Sequence, residues 1–182
     1  MHFQIAPLQN ITTERLIIRP LEVADAAEIL LLRSNKEVIR YVHRPLYRFE
    51  AEAVEFIKKV TENIVANKSA YWGIFLKETG RLAGTICLWN MEPENFRSEI
   101  GYEMLPVYQH NGYMYEAAKA VTIYAFSTLK LHTITAWFNP ENTASEKLLQ
   151  KLGFSQEARF KDCIFHEGKF HDMVVYTLFQ GV

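Results

Sequence analysis

Gly101-Tyr102-Glu103-Met104-Leu105-Pro106-Val107-Tyr108-Gln109-His110-Asn111-Gly112-Tyr113-Met114-Tyr115-Glu116-Ala117 reads as a strand, a short loop and the start of a helix. Apolar residues alternate before Pro106, and proline ends the ladder because it has no N–H to donate. Gln109-His110-Asn111-Gly112 is polar and turn-prone. A helical period then begins at Tyr113, Ala117, Ala120, Val121 and Tyr124. Such a junction aims several backbone N–H groups and the positive end of a helix dipole at one spot. It is an anion site, and a diphosphate is the anion we expect there.

Around this stretch the bulk numbers narrow the class. The chain has 182 residues, 49% hydrophobic and 23% charged, enough for one globular domain with a substantial core. Lys plus Arg number 20 against 21 for Asp plus Glu, so no basic excess argues for a nucleic-acid groove. Cys87 and Cys163 lie in apolar-rich runs and read as buried thiols of a reducing compartment. No run reaches membrane-spanning length and no secretory signal is visible, which predicts a cytoplasmic protein without a membrane partner.

Outward from the junction, residues 1–12 read as a loose arm. A strand at 15–19 closes at Pro20, and a helix follows over 26–32. Residues 34–48 are irregular and rich in Tyr, His and Arg. A second helix over 50–66 carries Val54, Ile57, Val60 and Ile64 on one face. Strands at 71–76 and 82–89 flank the hairpin signal Thr79-Gly80, and a third runs over 97–105. After the helix at 112–129 come a strand at 133–138 and Asn139-Pro140-Glu141-Asn142. Asn142 caps a helix whose buried face is Ala144, Leu148, Leu149 and Leu152, ended by Gly153. Runs at 154–165 and 170–179 form a long hairpin. The expected order is β-α-α-β-β-β-α-β-α-β-β in one domain over 1–182, an α/β (α+β) layout with a mixed, largely antiparallel sheet.

Four motifs occur in order. They are 13–21 (Thr13-Glu14-Arg15-Leu16-Ile17-Ile18-Arg19-Pro20-Leu21), Glu99-Ile100-Gly101-Tyr102 with Gln109-x-x-Gly112-x-Met114, Asn139-Pro140-Glu141-Asn142-Thr143-Ala144-Ser145 running into Leu149-x-x-Leu152-Gly153-Phe154, and Gly168-Lys169-Phe170-His171-Asp172. Together they resemble the GNAT superfamily of acyl-CoA N-acetyltransferases, and within it the RimJ/RimL-like branch of ribosomal-protein N-terminal acetyltransferases. The resemblance covers about residues 13–179. It implies the GNAT fold, a twisted sheet splayed at its centre and flanked by about four helices. It implies acetyl-CoA as cosubstrate and an amine as acceptor, with no metal.

On the donor side, the resemblance implies that backbone groups around Met104, Leu105 and Val107 bond pantetheine like an added strand. The N–H groups of Gln109, His110, Asn111, Gly112, Tyr113 and Met114 would cradle the diphosphate. Met114 stands where the usual pattern has Gly or Ala. Asn139 and Asn142 belong to the same coenzyme site, with Asn142 against pantetheine. The reaction implied is direct attack of a neutral amine on the thioester. The N–H of Leu105 is the expected oxyanion donor, and Ser145 is placed near the sulfur as acid. The resemblance puts the base on the strand before the last hairpin turn, where this chain has Ile164. Glu99 and Glu103 share parity with Gly101 and either can face the cleft as base. A site without a strong base favours α-amines over lysine.

Tyr41, His43, Tyr47 and Trp89 are candidates for the acceptor mouth. His166-Glu167-Gly168-Lys169-Phe170-His171 has the wrong spacing for a helical zinc motif, and Gly168 puts it in a turn. His171-Asp172 should stabilise that hairpin. The leading acceptor is a protein or peptide N-terminal amine. The alternatives are a small amine, of aminoglycoside or polyamine type, and a non-catalytic acyl-CoA-binding module. A deep acidic pocket would favour the small cation, an open groove the peptide.

Overall fold

The computed structural model describes residues 4–42, 44–166 and 168–181. Eight strands form one sheet: β1 (Ile11–Thr12), β2 (Leu16–Arg19), β3 (Ala70–Leu76), β4 (Leu82–Glu92), β5 (Arg97–Met104), β6 (Thr133–Phe138), β7 (Ser155–His166) and β8 (Lys169–Phe179). Their spatial order is β1-β2-β3-β4-β5-β6-β8-β7. Every neighbouring pair is antiparallel except β5 and β6. The helices are α1 (Ala26–Arg33), α2 (Glu50–Val65), α3 (Tyr113–Ser127) and α4 (Thr143–Lys151). This is the element order expected from the sequence, with β1 added.

The parallel pair is where the sheet opens. β5 and β6 are in register only from Arg97 to Glu99, against Thr133 to Thr135. β5 then continues along β4 to Met104, while β6 continues along β8 to Phe138. A wedge-shaped gap separates the two halves beyond Glu99. Such a gap leaves backbone N–H and C=O groups of β5 without a strand partner on that side, a costly arrangement unless a ligand or water completes it.

Side-chain alternation assigns the faces of β5. Ile100 and Met104 are buried in the larger core cluster with Ala117, Val121 and Leu149, so α3 and α4 cover that face. Ile29, Ala53, Ile57 and Val60 pack on Phe75 and Leu82, so α1 and α2 cover part of the other face. Glu99, Gly101 and Glu103 lie on this second face, where Arg33 at the end of α1 reaches Glu103.

Three local readings are corrected. The N-terminal arm is not loose: Ile5 is buried, its N–H donates to Asn67 Oδ1 at 2.8 Å, and Trp72 Nε1 donates to Gln9 O. On α2 the buried stripe begins at Ala53 rather than Val54, and on α4 Ala144 is exposed while Leu149 is buried. Cys163 is exposed, because β7 bulges between Phe160 and Ile164 and lifts it off the ladder. Asp172 does brace this hairpin, accepting from Arg159 and from the Asp162 N–H. Glu167, in the turn with the apparent zinc spacing, lies outside the described residues.

Candidate active site

The donor side is built from one continuous stretch. Pro106 stops β5 and starts a 3-10 turn over Pro106–Tyr108. Tyr108 N–H bonds Leu105 O and Gln109 N–H bonds Pro106 O. His110 and Gly112 then take positive φ, 63° and 77°. Gly112 does so without the penalty a Cβ brings. The N–H groups of His110, Asn111, Gly112, Tyr113 and Met114 have no hydrogen-bond acceptor among the described residues. They form a concave set of donors at the positive end of α3, a diphosphate-sized anion site.

A device not read from the sequence fixes this loop. Arg15 Nη1 donates to Asn111 O at 3.0 Å, and Arg15 Nε donates to Glu116 Oε2 at 2.7 Å. Thr13 Oγ1 and the Arg15 N–H share Glu116 Oε1. Burial would raise the Glu116 carboxyl, but the bonds from Thr13 and Arg15 outweigh it and hold it below the usual range. A carboxylate in the first turn of α3 also suits the helix dipole. The first sequence motif is thus the clamp of the loop. The only signal was its position in the order of motifs, because its partners lie about a hundred residues away.

One donor-side expectation changes. The Leu105 N–H donates to Ala83 O at 2.9 Å, so it faces β4 and not the gap. Antiparallel alternation then turns the N–H groups of Tyr102 and Met104 toward the gap. The Met104 carbonyl accepts from Gln109 Nε2 at 3.0 Å, which ties the loop back to the strand end. Val107, within the 3-10 turn, is exposed.

A cavity of about 370 Å³ passes through the gap and joins the two faces. Glu99, Gly101 and Glu103 line it from β5, Phe138 from the end of β6, and Asn142 and Ser145 from the start of α4. Asn142 Oδ1 caps α4 by accepting from the Ser145 N–H at 3.1 Å. Asn139 is buried, and its Oδ1 accepts from the Glu141 N–H. The Tyr102 hydroxyl, which sequence reasoning missed, shares the cavity with Ser145, and burial pushes it up to about 12. Gly101 keeps the middle of the cavity open, since a Cβ there would meet Cys87 Sγ at 3.2 Å and Trp89 Nε1 at 3.5 Å.

The two carboxylates differ. Burial raises Glu99 to about 7, against a hydrogen bond from Asn90 Nδ2 at 3.0 Å and the nearby charge of Arg97. Glu103 is held by Arg44, whose Nε and Nη2 reach Oε1 and Oε2 at 3.3 and 2.8 Å. Arg33 Nη2 stands 3.7 Å from Glu103 Oε1. Glu103 faces the cavity as expected, but both of its oxygens are occupied by Arg44. Glu99 also lines a second cavity of about 630 Å³ with Tyr41, Trp89 and Trp137, walled by Phe160 and Ile164 of the hairpin. Tyr47 instead packs with Phe56, away from these walls, and His43 lies outside the described residues. Among the described residues no cluster of His, Cys, Asp and Glu is arranged to hold a metal, and no helix is long and apolar enough to cross a membrane.

Comparison with known proteins fits this geometry. Residues 15–155 match the acetyltransferase (GNAT) domain family. A solved structure of a GNAT-family acetyltransferase from Bacillus anthracis superposes with a TM-score of 0.84 at 32% identity, covering 94% of this chain and 98% of that one. The uncharacterized N-acetyltransferase YoaA of Bacillus subtilis is 33% identical over 91% of this chain and 94% of its own. The ribosomal protein uS5-alanine N-acetyltransferase of Escherichia coli is 25% identical over 94% of this chain and 91% of its own. Spermidine N(1)-acetyltransferase of Escherichia coli is 27% identical over 90% of this chain and 85% of its own.

Proposed function

The chain belongs to the GNAT acetyltransferase family, and from that premise we propose that it acetylates the N-terminal α-amine of a protein or peptide. It is an N-acetyltransferase with acetyl-CoA as donor. The reading is carried by one observation: a single cavity runs through the gap between β5 and β6, with Glu99 on the face opposite α3 and α4.

The acceptor enters on the Glu99 face and the thioester from the side of α4. The amine lone pair forms a C–N bond to the acetyl carbon at the level of Gly101. The carbonyl oxygen gathers charge and is met by the N–H of Tyr102, which turns toward the gap beside Gly101. Collapse breaks the C–S bond and leaves the electron pair on sulfur. Ser145, which lines the cavity with Tyr102, lies on this side as the hydrogen-bond donor to that sulfur. A thiolate of pKa about 8.5 needs little further help.

Glu99 takes the proton from the attacking nitrogen, directly or through a water. Its value near 7 selects the amine. Deprotonating an α-ammonium of pKa about 7.7–8.0 by such a base costs about 1 kcal/mol, and a lysine ammonium about 5 kcal/mol. Charge balance points the same way. Glu103 is neutralised by Arg44, so the cavity offers a polyamine one carboxylate, itself shifted toward neutrality. The reaction draws on acetyl-CoA, and we assign it to the cytoplasm.

The test is CoA release at pH 7.5 with acetyl-CoA and a panel of N-terminal peptides, an N-blocked lysine peptide and spermidine. Turnover on the N-terminal peptides in preference to the other two is expected. Faster turnover on spermidine overturns the acceptor assignment. Calorimetric binding of acetyl-CoA without CoA release on any amine overturns catalysis in favour of a sensor.

A further inference from the structure

The arginines that neutralise Glu103 outnumber it. Arg44 is spent: Nε and Nη2 bind Glu103, and Nη1 donates to Arg33 O at 3.1 Å. Arg33 is not. Its Nη1 donates to Tyr47 Oη at 2.6 Å, and its Nη2, at 3.7 Å from Glu103, is beyond hydrogen-bond reach. Its Nε is buried without a partner among the described residues and is closed to a ligand, so the donors left for one are those of Nη2. The guanidinium lies 3.7 Å above the Phe56 ring, which fixes its plane. Arg33 therefore lines the cavity as a rigid cation with donor capacity to spare.

A second observation lies in the wall of the same cavity. Between α1 and α2, residues 34–49 carry Lys36, Arg40, Arg44 and Arg48 against Glu37 alone, four positive and one negative, a net of +3. The whole chain is at -1, so this excess is local. Tyr41, Val42 and Arg44 of this segment border the cavity. Of these cations Arg44 alone borders the cavity and it is paired with Glu103, so the unspent positive charge facing the acceptor side is that of Arg33.

We infer that Arg33 selects acceptors with a carboxylate close to the reacting amine, namely N-termini with Asp or Glu as first or second residue. Gly101 and Glu103 are two residues apart on β5, about 7 Å. A carboxylate on either of the first two side chains spans that distance from an amine held at Gly101. The spare donors of Arg33 complete a charge-assisted pair there, in a site that excludes much of the water. The inference rests on the peptide reading above.

The test measures kcat/KM for Ser-Glu-Ala, Ser-Gln-Ala, Glu-Ser-Ala and Gln-Ser-Ala peptides with wild type, Arg33→Gln and Arg33→Lys. Wild type should prefer each Glu peptide over its Gln isostere by about tenfold or more. Arg33→Gln should flatten the preference, and Arg33→Lys should keep part of it. Equal kcat/KM for the isosteres in wild type overturns the inference and leaves the peptide reading standing. A second measurement is independent of turnover and of the variants' folding. Tryptophan fluorescence of the wild-type protein, with Trp89 and Trp137 lining the cavities, is titrated with acetyl-Ser-Glu-Ala and acetyl-Ser-Gln-Ala. Tighter binding of the Glu product supports the inference even if no peptide turns over, an outcome that removes only the peptide reading. Equal binding overturns it.

Discussion

Glu99 and Glu103 sit on one strand, on one face, and line one cavity. Glu99 is surrounded by Trp89, Trp137 and Tyr41, with the Asn90 amide as its hydrogen-bond donor, and it is raised to about 7. Glu103 is held by Arg44 and approached by Arg33, which lie on and beyond α1, 59 and 70 residues away in sequence. One end of the strand holds a group able to exchange a proton at neutral pH. The other holds a carboxylate ion-paired to Arg44, which joins the segment between α1 and α2 to the strand. The chemical identity of a side chain sets neither role. The partners supplied from outside the strand do.

The largest effect should come from Glu99→Gln. If Glu99 is the base, kcat/KM on an N-terminal peptide falls by about 10²–10⁴-fold. In wild type, log kcat/KM rises with pH through about 7, where Glu99 ionises. The variant should lose that limb and keep only the amine's own ionisation at about 7.7–8.0. Stability should move in the opposite direction. The folded value lies above the ordinary 4.5, so the stability linked to this proton is complete below about 4.5 and lost as pH rises through 7. The variant's melting temperature should therefore exceed wild type at pH 8, and the gap should shrink toward pH 5. An unchanged rate profile would erase the contrast between the two carboxylates.

Glu103→Gln should show the reverse pattern. It leaves Arg44 and Arg33 facing each other in a partly buried site, which costs on the order of 3 kcal/mol of unfolding free energy. The rate limb near pH 7 should persist, with kcat lowered less than that of Glu99→Gln. Urea denaturation and a pH–rate profile measure both. Loss of the limb with retained stability would interchange the two roles.

The smallest effect is expected on the donor side. Gly112→Ala places a Cβ at φ 77°, which costs about 1–2 kcal/mol. The new methyl would meet only Arg15 Nη2 at 3.5 Å, an ordinary contact. Acetyl-CoA affinity should fall about tenfold by calorimetry, and the pH limb of Glu99 should be unmoved. A shifted limb would mean that the two sides are coupled through β5.

The donor half was legible because it is local. Pro106, His110, Gly112 and the period of α3 lie within a few turns of chain, and each acts through backbone geometry that residue type constrains. The cap at Asn142 was legible for the same reason. Leu105 was misread because a strand break marks where a ladder ends, not which way an N–H points, and only the register with Ala83 supplies that. Tyr102 was not singled out, since its proximity to Ser145 crosses the gap between two elements. The clamp from Thr13 and Arg15 to Glu116 joins the first strands to the third helix, and no spacing rule connects them.

By itself the sequence determined the order of elements, the interruption at Pro106 and the anion loop that follows, because these depend on backbone freedom and short-range periodicity. Tertiary structure alone decided which N–H groups face the gap, which carboxylate can release and take a proton, and where the spare charge of Arg33 lies. Those properties are set by desolvation and by Coulomb partners a few ångströms away in space, brought there from distant parts of the chain.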